Sequence, residues 1–182
     1  MIRNYLREKQ HISSYQIAQI EFLFKTIFSE LSKMVIVGIL FHNQLGVYIF
    51  ALCIMLYLRC STGGLHFYTY LSCLSSTIVY LWLAISLLPN LKLPSFLQTT
   101  ALLISMLLCY FVGPVVSKYR PAPTPRHFEH CRKICCSGIF LYALNLYIIP
   151  ANQLTATGFW IIILHSLQLL VAKIYKEGGR SK

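Results

Sequence analysis

"MVIVGILFHNQLGVYIFALCIMLYLRC" (34–60) is apolar apart from its closing Arg59 and one interruption, "HNQLG", at 42–46. A helix needs about 20 residues to cross ~30 Å of hydrocarbon, so an unbroken helix through this stretch crosses once. A turn at the interruption makes two crossings. The distribution of Lys and Arg decides between them, because these residues favour the cytoplasmic side. The tail after Ile174 carries Lys176, Arg180 and Lys182 and is expected inside. Walking backwards, the uncharged linker 150–155 goes outside. The linker 117–133, with Lys118, Arg120, Arg126, Arg132 and Lys133, goes inside, and 89–94 goes outside. Residues 59–65 then return inside. Arg3, Arg7 and Lys9 ask for an inside N-terminus as well. Two inside ends require an even number of crossings, and the interruption supplies the one that is missing. One helix is therefore expected to reach about Phe41, and a second to run from about Val47 to Leu58.

The first of these must begin well before Met34, near Phe22, to be long enough. There Ile17, Ile20, Phe24, Ile27 and Leu31 alternate with Glu21, Lys25, Glu30 and Lys33 at helical spacing, with Glu21 and Lys25 paired at i,i+4. Four further apolar runs, 71–88, 96–116, 134–150 and 156–174, read as spans, the third short enough to borrow from its flanks. The expected fold is an all-α polytopic membrane bundle of about six helices, one domain over 1–182. It has an amphipathic N-terminal segment (1–33), a basic cytoplasmic linker (117–133) and a cytoplasmic tail (175–182).

Composition agrees. Of the 182 residues, 57% are hydrophobic and 12% charged, against roughly 45–50% and about 25% in soluble domains. Mean hydropathy is +0.63. The net charge of +11 lies between apolar runs rather than along one face, so it reads as a topology signal with attraction to anionic lipid, and nucleic acid is not expected as a partner. The seven cysteines show no secreted disulfide spacing and are expected as thiols. The start, "MIRNYLREKQHISSYQ" (1–16), lacks the short apolar core and cleavage site of a signal peptide, so none is expected.

Against this background "RCSTGGLHFYTYLSC" (59–73) stands out, with an arginine, two glycines, a histidine and two cysteines at a membrane boundary. A thiolate is a nucleophile, and a neighbouring imidazole can generate it. His66 and Cys73 are seven apart, which on one helix puts them on the same face but ~10.5 Å apart along the axis. The pair can meet only if the chain bends between them or the helix begins after His66. Gly63 and Gly64 permit a bend upstream, and Thr69 is a candidate cap for a helix whose early turns carry Cys73. The residues alone leave a packed cysteine and a polar interfacial histidine open as the alternative. Arg59 either binds a carboxylate or snorkels to the interface. The chain has no Asp, so paired-Asp chemistry and an Asp-supported triad are excluded. "HFEHCRKICC" (127–136) offers His127, His130, Cys131, Cys135 and Cys136 as zinc ligands, but its spacing fits no standard site and its cations oppose one. No metal or cofactor is expected. His42 and His165 read as satisfied packing residues, and "RPAPTP" (120–125) as an extended connector.

Arg59, Gly64, His66 and Cys73 at these spacings resemble the signature of the accessory gene regulator protein B (AgrB) family. The length, the amphipathic start and the basic, proline-bearing mid-chain linker resemble it too. The resemblance implies a bacterial cell-membrane cysteine endopeptidase of quorum sensing, with its site toward the cytoplasm. Such enzymes remove the C-terminal part of an AgrD-like propeptide. His66 matches the catalytic histidine and Cys73 the catalytic cysteine, while Arg59 and Gly64 match positions needed for activity. It further implies a thioester acyl-enzyme resolved by an internal thiol or hydroxyl into a thiolactone or lactone, and self-association as a homodimer. Arg120, Arg126 and Arg132, with Arg59, are candidate contacts for an acidic substrate. The linker departs from the family, reading "YRPAPTPRH" (119–127) where a lysine-proline pair is usual. A small membrane peptide exporter without proteolytic activity is the alternative from another class.

Overall fold

The polar interruption is where the first helix ends. In the computed structural model, which describes residues 14–64, 69–115 and 125–178, α1 spans Ser14–Leu40. A single 3-10 turn, His42–Gln44, follows, and α2 spans Leu45–Thr62. The break therefore falls where the charge argument requires it, although α1 starts eight residues earlier than Phe22. The chain divides into two compact units, Met1–Asn43 and Gln44–Lys182.

In the first unit, α1 exposes Phe24, Ile27, Phe28, Leu31, Val35 and Ile39. Such a surface suits lipid and not water. The expected Glu21–Lys25 pair lies outside the described side chains. Lys33 is paired with Glu30 one turn back.

Among its described residues the second unit holds five α-helices. After α2, α3 (Tyr70–Trp82) continues through a π-helical turn, Leu83–Leu87, and a 3-10 turn, Leu88–Asn90. Pro89, which has no N–H to give, ends the helical run. Then come α4 (Ser95–Val112), α5 (Pro125–Ile148) and α6 (Gln153–Gly178). Among the described residues, four segments are long and apolar enough to cross a membrane: His42–Thr62, Tyr70–Asn90, Ser95–Val112 and Gln153–Tyr175. This is an all-helical membrane protein.

Three boundaries differ from expectation, each for a local reason. The 96–116 run stops at Val112 because Gly113 and Pro114 follow, and proline cannot continue a helix. The 134–150 run is the latter part of α5, whose first turns carry Arg126, Glu129, Arg132 and Lys133. Those charges keep it out of the four apolar segments, and they make 125–133 helix rather than linker. α6 starts earlier than 156 because Asn152 and Thr155 cap it reciprocally: Thr155 N–H donates to Asn152 Oδ1, and Asn152 N–H to Thr155 Oγ1, both at 2.9 Å.

α6 is the central helix, packed against α2, α4 and the end of α3. Its buried Thr157, Ile161, His165 and Leu169 recur every four residues, with Ile162 and Ser166 beside them. Around it, α2 also packs on α5, where Tyr57 donates its hydroxyl to the Ile134 carbonyl at 2.7 Å. At one end of the unit, Gln153 donates to Gln44 at 3.1 Å, so α2 and α6 start side by side. At the other end, α2 and α4 finish together beside the first turns of α5. That end carries the 59–73 motif.

Candidate active site

α2 ends at Thr62 because the next two residues are glycines. Gly63 takes φ 76°, a left-handed conformation that only glycine adopts without strain. There it forms a parallel bridge to Val115, and Val115 N–H donates to the Thr62 carbonyl at 2.9 Å. The fit is close: a Cβ on Gly63 would lie 2.5 Å from the Val115 carbonyl oxygen. α4 is tied to the same end by Arg132, whose Nε donates to the Gly113 carbonyl at 2.9 Å while its guanidinium lies over Tyr110 and Phe128.

α3 begins at Tyr70, four residues beyond His66. Thr69 caps it, its hydroxyl accepting from Ser72 N–H at 3.2 Å. Cys73 stands one turn inside, buried, with its N–H donating to the Thr69 carbonyl at 3.2 Å. Thr69 is extended (φ -102°, ψ 146°), so the helix that carries Cys73 does not run back through it. A thiol one turn from a helix N-terminus stands at the positive end of the macrodipole, near amides that lack intrahelical acceptors.

His66 belongs to 65–68 and lies outside the described residues, as does Arg120. Arg59 occupies the last turn of α2, half-buried. Its Nε is buried with no hydrogen-bond partner among the described residues, and its side chain passes Gly64, where a Cβ would stand 3.6 Å from that nitrogen. Arg126 is exposed on the first turn of α5. Arg132 is engaged with Gly113.

One residue outside the motif, His165, belongs to this end and meets Thr62 of the motif. Thr62 Oγ1 lies 2.7 Å from His165 Nε2, and both side chains are buried. His165 is thus half satisfied: its Nδ1 is buried with no partner among the described residues. The signal for it was present, since a histidine within an apolar span is costly without a role. His42 contacts the Ile39 carbonyl at 3.1 Å.

The second Cys/His stretch does not converge. His127 and Cys131 meet at 3.6 Å, but Cys135 is fully buried, and Cys136 donates weakly to the Met106 carbonyl at 3.9 Å. Among the described residues no three potential metal ligands gather. All seven cysteines are thiols. A cavity of about 230 Å³ lies elsewhere, between α2, α5 and α6, lined by Cys53, Tyr57, Gly138 and Tyr142 among others. It is lined mostly by apolar surface, and Arg59, Gly64 and Cys73 lie outside it.

The accessory gene regulator B family model matches residues 1–169. This chain belongs to the accessory gene regulator B family. No curated protein and no solved structure matches it. Membership in the AgrB family brings involvement in accessory gene regulator peptide processing and an AgrD-like propeptide as substrate. The match runs through the motif, the mid-chain linker and most of α6, so His165 falls within it.

Proposed function

We propose that this AgrB-family chain is a membrane cysteine endopeptidase that cleaves its AgrD-like propeptide and promotes ring closure of the product. The observation that carries the reading is the start of α3 at Tyr70, after position 66, which a Cys73–His66 dyad requires. His66 takes the proton from Cys73 Sγ, and the thiolate attacks the scissile carbonyl. The C–N bond breaks, His66 returns the proton to the leaving amine, and a thioester remains on Cys73. An internal thiol or hydroxyl of the peptide then attacks that carbonyl. A thiolactone or lactone forms, and the Cys73 thiol is regenerated. A thioester retains more of the amide's acyl-transfer potential than an oxyester, which is why cysteine suits a reaction ending in a thiolactone. Amides in the first turn of α3 are suited to the developing oxyanion.

Charge supports the substrate class: a protein of +11 attracts an acidic peptide segment. Arg59, Arg120, Arg126 and Arg132 are the proposed receivers, Arg132 through its charge alone because its Nε is occupied. The gathering of Arg59, Arg126, Arg132 and Lys133 at the motif end supports a cytoplasmic site. The exposed apolar faces fit lipid, and a homodimer is proposed with them.

Cleavage of a propeptide of the AgrD class by the full chain in liposomes tests the reading. Cys73→Ala and Cys73→Ser are expected to abolish cleavage, while Cys60→Ala retains it. Export of intact peptide with no cleavage by the wild-type chain would instead support a transporter.

A further inference from the structure

Thr62 closes α2, and its hydroxyl faces two partners: the Leu58 carbonyl oxygen at 2.8 Å and His165 Nε2 at 2.7 Å. A hydroxyl has one proton to give. The carbonyl has none, so the hydroxyl donates to Leu58 and must accept from His165. This fixes the tautomer, with the proton on Nε2 and Nδ1 left as a buried lone pair with no partner among the described residues. His165 is 0% exposed. An aliphatic side chain would fill the site without stranding a polar atom, so what the imidazole adds is one oriented N–H.

That N–H reaches the point where the motif leaves the helix. The carbonyl of the same Thr62 accepts Val115 N–H, the next residue makes the bridge, and the segment carrying His66 begins two residues later. The other partner, α6, is the central helix of the unit. Nearby, Tyr80 of α3 donates its hydroxyl to the Ile161 carbonyl at 2.8 Å, one turn before His165. These two contacts tie α2 and α3 to α6 within one turn of each other.

We propose that His165 is a positioning residue of the peptide-processing reaction. Through Thr62 it fixes the end of α2, the part of the motif that carries Arg59 and the Gly63–Val115 bridge. It touches neither substrate nor reacting atoms. The inference rests on the Cys73–His66 reading above.

The test uses the full chain in liposomes with a propeptide of the AgrD class, measuring kcat and KM. His165→Leu removes the N–H, Thr62→Val keeps the shape and removes the acceptor, and His165→Gln returns an amide N–H near the position of Nε2. A displaced catalytic group costs kcat, so His165→Leu and Thr62→Val are each expected to lower kcat by about ten- to a hundredfold. KM should stay within about twofold. His165→Gln should recover most of kcat, and the double variant should be no slower than either single, as for one shared interaction. Wild-type kcat in His165→Leu, equal losses in the Leu and Gln variants, or additive losses would overturn the proposal. If His165→Leu fails to accumulate in the membrane, Thr62→Val and His165→Gln carry the same decision. Cys73→Ala, assayed alongside, separates the two levels. Cleavage by that variant removes the dyad and the positioning role together, whereas its inactivity beside fully active clamp variants removes the positioning role alone.

Discussion

Residues 59–73 and 127–136 both combine histidines with cysteines, and the second is the denser. Their structures differ in one respect that decides what each can do. The 127–136 stretch is one unbroken length of α5, so the helix fixes where each side chain goes. His127 meets Cys131 one turn on, while Cys135 is buried and Cys136 turns to the Met106 carbonyl. In 59–73 the helix ends at Thr62 and a new one starts at Tyr70. Density of reactive residues on a rod separates them; a break with anchored ends allows two of them to be aimed at each other. Thr62, Gly63 and Val115 anchor one side of that break, and Thr69 anchors the other.

The comparison can be broken by exchanging which cysteine is removed. Cys73→Ala is expected to reduce propeptide cleavage to background, whereas Cys131→Ala and Cys136→Ala, changes outside the anchored break, should leave the rate within about twofold. Loss of cleavage in the α5 variants with Cys73→Ala active would transfer the site to α5. A smaller effect comes from loosening the upstream anchor. Gly63→Ala puts a side chain at φ 76°, 2.5 Å from a carbonyl oxygen, and should destabilise the fold by about 1–3 kcal/mol, measured as a lowered unfolding midpoint in detergent. The smallest comes from the downstream anchor. Thr69→Ala removes the cap on α3 and should cost about 1 kcal/mol, with slower alkylation of Cys73 by iodoacetamide as peptide mapping would record. An unchanged Cys73 rate would mean that the cap does not orient the thiol.

Much of this fold was legible because hydrophobic length and charge placement act over whole segments. The "HNQLG" turn, the cap at Thr69 and the apolar spans all follow from rules that need no tertiary knowledge. What was not legible depends on contacts between segments distant in sequence. Nothing local to Gly63 announces Val115 as its partner. Nothing local to His165 announces Thr62, 103 residues away. Gly113–Pro114 did carry a local stop signal, and the apolar run through Val116 hid it. Arg132 shows the limit of reading charge alone, since a residue expected to greet substrate is already bonded to a backbone carbonyl. Of the candidate site, Cys73, Arg59 and Gly64 lie among the described residues, while His66 lies outside them.

The most direct measurement is the mass of the protein trapped in mid-reaction. A propeptide whose internal cysteine is replaced by alanine cannot close its ring, so the acyl-enzyme should accumulate. Acid quenching followed by peptide mapping should find the N-terminal peptide fragment attached at Cys73 and released by hydroxylamine, as a thioester is. Cleavage that proceeds with Cys73 unmodified, or an adduct carried by another residue, would contradict the account.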